Sequence, residues 1–326
     1  MKKIKLGSSG VEVSQIGLGT WAIGGGPAWG GDKDRKECIN TIREAPMLGI
    51  NLIDTAPGYN FGSSEKIVGE AIRDIKREDV VIITKCGIVW NREGSLFNKV
   101  GDTQLYKNLS GESIREEIKE SLNRLGVDYI DVYMTHWQSV EPFFTPISET
   151  MEALNELKKE GLIKSVGAAN VTPEHIREYL KYGELDIVQG KYSVLDRAIE
   201  EDLIPICREN NIILQAYSPL EQGLLTGTFA RDYVPVGAQC NKKWFQPDKM
   251  QKAMDMMEEW APLCKKYGCS IPTLALAWVI SQGDFISVLN GASTVEQIRE
   301  NAKAMEVRIS GEDLLLMRKL AEEADR

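Results

Sequence analysis

Short runs of β-branched and other apolar residues recur at residues 15 to 20, 51 to 56, 80 to 85, 129 to 135, 163 to 168, 187 to 192, 212 to 217 and 286 to 290, and each reads as a strand. Most show little in-and-out alternation, the pattern of strands covered on both faces. Capped segments of helical period fill the gaps: Asp34 to Leu48, Ser64 to Ile72, Ser110 to Leu125, Pro146 to Glu160, Thr172 to Tyr182, Glu201 to Asn210, Ser270 to Gln282 and Thr294 to Lys303. Ser110 and Thr172 suit N-caps, and Pro173 follows at a first helical position. Strands and helices in strict alternation predict a closed (β/α)8 TIM barrel, an α/β fold, rather than an open doubly wound sheet. Three pieces fall outside it: an N-terminal β-hairpin in the first 14 residues that would close the barrel floor, one inserted helix around residues 248 to 267, and a C-terminal helix from Gly311 to Asp325. With no internal repeat and no low-complexity linker, residues 1 to 326 are expected to form one domain.

Composition narrows the class. Hydrophobic residues make up 43% and charged residues 27%, which suits a globular chain with a large core. The net charge of −9 argues against nucleic acid or an anionic membrane as partner. The opening MKKIKLGSSG has no apolar stretch behind its charges, so no signal peptide is expected, and no apolar run is long enough to span a bilayer. The 6 cysteines lack metal-type spacing. They fit reduced thiols and a cytoplasmic location, with no metal site; Cys264 and Cys269, the nearest pair, read as small apolar residues.

The chemistry gathers at strand ends: Asp54 and Tyr59 in NLIDTAPGYN, Lys85 in VVIITK and His136 in YIDVYMTH. If these runs are neighbouring parallel strands, their carboxyl ends open on one face. A tyrosine is a weak acid at neutral pH, and a desolvated lysine beside it is expected to ease release of the phenolic proton. Asp54 would keep that lysine charged, and His136 would hold a carbonyl oxygen by a hydrogen bond from a fixed tautomer. The blander alternatives are a turn residue for Asp54 before Pro57 and a solvated charge for Lys85. His175 in the first turn of a helix reads as a surface residue, and Met254, Met256 and Met257 as packing. Gly17 to Ala22 fits G-x-G-x-x-A, but Gly24-Gly25-Gly26-Pro27 follows where a helix should, so the segment is not expected to hold a pyrophosphate.

The chain resembles the aldo-keto reductases from end to end, through GLGTW at 17 to 21, LIDTAPGY at 52 to 59, GSSEKIVGEAI at 62 to 72, ITK at 83 to 85, SLNRLGVDYIDVYMTHW at 121 to 137, GAAN at 167 to 170, YSPLEQGLLTG at 217 to 227 and GASTVEQIREN at 291 to 301. The resemblance implies NAD(P)H-dependent reduction of small aldehydes and ketones, with Tyr59 as general acid and Asp54, Lys85 and His136 as its partners. It implies a nicotinamide dinucleotide across the barrel mouth, touching Gly19, Thr20, Trp21 and Asp54. Asn170 and Gln189 would take the carboxamide, Tyr217 would stack on the ring, and Ser218, Leu220, Gly223, Leu225 and Gly227 would form the pyrophosphate loop. Gly291, Ser293, Gln297, Glu300 and Asn301 would meet the adenine and ribose. Ala169 stands where the family often has serine. Many NADPH-using relatives carry a lysine and an arginine where this chain has Gly291 and Gln297, so NADH is favoured, with NADPH as the alternative if Arg231, Lys242 or Lys243 supplies a cation. The resemblance extends through substrate-loop stretches such as CGIVW, GSLFNKVGD and THWQSV and implies a small 2-oxoaldehyde such as methylglyoxal as substrate, which Trp21, Trp29, Trp90, Trp137 and Phe143 would rim. A rival reading is a redox-sensing accessory subunit that holds the cofactor with little turnover. That reading calls for a docking surface or an N-terminal extension. The assembly state stays open.

Overall fold

The computed structural model describes residues 2–326. A hairpin, β1 (Lys3–Lys5) and β2 (Glu12–Ser14), precedes β3 (Ile16–Gly19), β4 (Leu52–Asp54) and β5 (Val81–Cys86). Three further strands follow, β6 (Ile88–Val89), β7 (Ser95–Val100) and β8 (Thr103–Lys107), and then β9 (Ile130–Thr135), β10 (Ile163–Ala169), β11 (Ile187–Lys191), β12 (Ile213–Tyr217) and β13 (Ile286–Gly291). Strands β3, β4, β5 and β9 to β13 pair in parallel in chain order, and β13 pairs with β3 to close the barrel. The expected strands are therefore all present, in the expected order.

Two apolar clusters build the molecule. Inside the barrel, Leu52, Val81, Ile83, Val132, Met134, Ile187 and Ile213 pack with Ile4, Leu6, Val11 and Val13 of the hairpin, which plugs the floor as expected. Outside it, Ile53, Ile82, Tyr133, Val166, Val188, Leu214 and Val288 face the helices in a second cluster. Successive strand residues alternate between the two. The inner rows run Leu52 to Asp54, Val81 and Ile83 to Lys85, Val132 and Met134 to His136, Ile187 to Gln189, and Ile213 and Gln215 to Tyr217. With the floor filled by hydrocarbon, the polar ends of these rows are left at the carboxyl-terminal mouth.

The structure departs from the sequence reading in three places. The inserted helix is two, Pro247–Glu259 and Ala261–Tyr267, broken at the fully buried Trp260. Pro262 lacks the N–H that a continuous helix would need from it. The glycine-rich segment after β3 does contain helix, a single turn at Trp21–Gly24, stopped by Gly25 and Gly26 at φ of 69° and 78°. Strands β6, β8 and β7 form an antiparallel sheet over residues read as plain loop. Its signal was Gly101-Asp102 between two runs rich in apolar and β-branched residues, a hairpin turn. His175 completes a capping box with Thr172, its Nδ1 accepting from the Thr172 N–H at 3.2 Å.

Candidate active site

Asp54, Lys85, Tyr59 and His136 converge at the mouth. Lys85 Nζ donates to Asp54 Oδ1 at 2.7 Å and Oδ2 at 2.9 Å, to the Thr55 carbonyl at 3.0 Å and to the Tyr59 hydroxyl at 3.1 Å. The Lys85 and Asp54 side chains are each 1% exposed. Burial pushes the Asp54 carboxyl up and the Lys85 amine down, and each is opposed by the charge of the other. The four oxygens around Nζ favour the ammonium. A second donor, Gln189 Nε2, reaches Asp54 Oδ2 at 2.6 Å and is itself held to Gln215 Oε1 at 2.6 Å. Gln215 was not singled out in the sequence, although it lies in the inward row of β12 between Ile213 and Tyr217.

Burial, and then the Asp54 carboxylate, raise the Tyr59 phenol well above the usual tyrosine range. Burial first, and Asp54 second, thus work against the easier proton release expected from the neighbouring lysine. The phenol keeps its proton at neutral pH, the form a proton donor requires.

The His136 ring lies 5.7 Å from the Tyr59 ring, edge to face. Its backbone is fixed on both sides: the N–H donates to the Cys86 carbonyl at 2.9 Å, and the carbonyl accepts from Asn170 Nδ2 at 2.9 Å. Burial, and then the charge of Lys85, hold the imidazole well below its ordinary value, so it is neutral. Nδ1 is buried without a partner among the described residues. An orphan buried N–H is rarer than an under-bonded acceptor, which places the proton on Nε2.

The residues expected to meet a cofactor stand at the carboxyl ends of β3, β4 and β10 to β13 or in the segments that follow them. Asn170 (φ 55°), Ser218 (φ 54°) and Gln222 (φ 53°) are non-glycine residues in the left-handed region at the ends of β10 and β12, and Gln222 Oε1 is buried without a partner. Strained backbone and an unpaired buried acceptor on a barrel rim fit a bound polar ligand, and so they suit a dinucleotide. The Tyr217 hydroxyl donates to Asn170 Oδ1 at 2.8 Å. Leu220 and Leu225 bury their side chains, the Leu220 carbonyl accepts from the N–H groups of Gly223 and Leu225, and Gly223 has φ 99°. Thr20 is fully buried, its hydroxyl shared between the Asp54 carbonyl and Ser64. Beyond β13, Gln297 Oε1 accepts from the Ser293 N–H at 2.8 Å, and Asn301 Nδ2 reaches the Gly291 carbonyl at 3.4 Å. Burial alone would raise the Glu300 carboxyl, but bonds from Lys303, Ser270 and Thr273 hold it below its ordinary value.

The tryptophans divide. Trp21 packs on Trp29 at 5.0 Å and on Tyr59 at 6.3 Å between ring centres. Trp137 adjoins His136 and packs on Phe97 at 5.6 Å, whereas Trp90 packs on Phe61 at 5.4 Å. Phe143 is 42% exposed on the loop that its N–H ties to Ser95. Trp244, Trp260 and Trp278 belong to the core.

A parallel barrel with an Asp-Tyr-Lys-His cluster at its mouth defines a carbonyl-reducing class, and this chain belongs to the Aldo/keto reductase family, whose sequence model matches residues 15–322. It is 66% identical over 326 residues, covering 100% of both chains, to a protein of Escherichia coli named NADH-specific methylglyoxal reductase. Among solved structures it is similar to a glycerol dehydrogenase from Gluconobacter oxydans, with a TM-score of 0.88, 31% identity, and coverage of 99% of this chain and 95% of that one. It is also similar to an aldo-keto reductase from Klebsiella pneumoniae in complex with NADPH, with a TM-score of 0.75, 27% identity, and coverage of 98% and 95%. The chain is thus an oxidoreductase that reduces carbonyl compounds with a nicotinamide cofactor. No helix among the described residues is long and apolar enough to cross a membrane.

Proposed function

We propose that this enzyme reduces small 2-oxoaldehydes such as methylglyoxal, with NADH as the favoured reductant and Tyr59 as the proton donor. The observation that carries the reading is the single ammonium of Lys85 bonded at once to Asp54 and to the Tyr59 hydroxyl. A bound reduced nicotinamide supplies the hydride. Tyr59 gives its proton to the carbonyl oxygen, and Lys85 stabilises the phenolate as it forms. Asp54 holds Lys85 in place and charged. Neutral His136 orients the carbonyl oxygen through Nε2–H. Asn170 and Gln189 hold the carboxamide, Tyr217 the ring, the segment from Ser218 to Gly227 the pyrophosphate, and Gly291, Ser293, Gln297, Glu300 and Asn301 the adenosine end. Gly19, Trp21, Trp29 and Trp137 shape the wall, with Trp90 behind it.

Preference for NADH is favoured by the pairing of two of the three candidate cations, Lys242 being the one left without an ion pair among the described residues. Arg231 pairs with Asp255 at 2.6 Å and Glu258 at 2.5 Å, and Lys243 pairs with Asp325 at 2.5 Å. The name of the Escherichia coli relative agrees on both cofactor and substrate. Following loss of reduced-nicotinamide absorbance with methylglyoxal tests this directly. Faster turnover with NADH than with NADPH is expected, and the reverse order refutes the preference.

A further inference from the structure

The small antiparallel sheet after β5 places a cation beside the mouth that the chemistry above does not use. Lys107, the last residue of β8, pairs directly with Ile88 of β6, and directly opposed residues project from the same face of a sheet. Ile88 is turned toward the barrel: its Cγ2 lies 3.4 Å, and His136 Cε1 3.8 Å, from the point where a Cβ on Gly58 would stand. Lys107 therefore leaves the sheet on the side of Gly58 and His136. Its Nζ lies 5.2 Å from the ring centre of Trp137, the residue after His136, and 5.4 Å from that of Phe97.

The half-buried ammonium meets no carboxylate within ion-pair reach and no hydrogen-bond acceptor among the described residues. Lys191, at the opposite side of the mouth, differs in this respect, being paired with Asp196 at 2.8 Å and Glu221 at 2.9 Å. Burial holds the Lys107 amine below its ordinary value. A partly desolvated cation kept between two aromatic faces lacks the anion that would offset its lost hydration.

We propose that Lys107 is a specificity-determining residue that receives a carboxylate carried by the carbonyl substrate, so that the enzyme prefers aldehydes bearing a carboxylate over neutral aldehydes of similar size. Trp137 and Phe97 hold the ammonium, and no acceptor among the described residues takes its N–H donors. The inference rests on the reading that Tyr59 and His136 bind the carbonyl oxygen, since that fixes which end of the substrate reaches Lys107.

The test compares kcat/KM for succinic semialdehyde against butanal and for 4-carboxybenzaldehyde against benzaldehyde, with NADH. In at least one pair the carboxylated member is expected to be preferred by about tenfold or more, expressed in KM and weakened by added salt. In Lys107→Met that ratio falls toward unity, and in Lys107→Arg part of it returns. Lys107→Glu, which keeps a long polar side chain, inverts the ratio if Lys107→Met proves poorly folded. Absence of any preference in the unaltered enzyme, or a preference that survives Lys107→Met and Lys107→Glu, overturns the proposal. Failure of the underlying reading looks different, because Tyr59→Phe would then leave turnover of both members of each pair intact.

Discussion

Lys85 Nζ stands 3.1 Å from the Tyr59 hydroxyl while Asp54 accepts from the same nitrogen at 2.7 Å, and burial together with the Asp54 charge raises the phenol well above the usual tyrosine range. The phenol consequently rests protonated.

Replacing Tyr59 by Phe removes that proton with little change of volume. Turnover is expected to fall by about 100- to 10,000-fold, while the stability change stays near that of one hydrogen bond, about 1 kcal/mol. Steady-state rates, with NADH affinity read from quenching of protein fluorescence, check this. Unchanged turnover takes Tyr59 out of the mechanism.

Lys85→Met should behave differently, because it strands the buried Asp54 carboxylate. A loss of about 3 to 5 kcal/mol is expected in denaturant unfolding, on top of the loss of activity. Adding Asp54→Asn should recover part of the stability and none of the activity. A stable, inactive Lys85→Met single variant would show that the pair is not a buried ion pair.

His136 stays neutral in the folded protein because burial and Lys85 depress its affinity for protons. The unfolded chain takes up that proton first as pH falls below about 6.5, so this residue lowers stability on the acid side by up to about 1.4 kcal/mol per pH unit. His136→Gln should flatten that limb of the stability profile. In the unaltered enzyme kcat/KM should show no inflection from this imidazole between about pH 6 and 8. A histidine-like inflection that vanishes in His136→Gln would contradict the neutral assignment.

Glu117 lies behind the catalytic strand, 2% exposed, accepting from the Gly87 N–H at 2.9 Å and from Ser113 at 3.0 Å. Burial raises its carboxyl from 4.5 to about 8. Between those values the folded protein holds a proton that the unfolded chain has lost, so stability from this residue is present at low pH and declines as pH rises, by about 1.4 kcal/mol per unit, levelling off above about 8. Denaturant unfolding from pH 5 to 9 should show Glu117→Gln lacking this decline. Parallel profiles for the two proteins would refute it.

The sequence alone determined the barrel and the three strand-end residues Asp54, Lys85 and His136 at its mouth. Alternation along a strand is a local property: once Leu52, Ile83 and Met134 are inward, Asp54, Lys85 and His136 two positions on must be inward too. The tertiary structure alone decided the charge state of Tyr59, the link from Asp54 through Gln189 to Gln215, the packing of Trp90 on Phe61 rather than on Tyr59, and the placing of the Lys107 ammonium by Trp137 and Phe97. Those depend on desolvation and on which distant side chains share a space, sums over residues far apart in the chain that no local pattern carries.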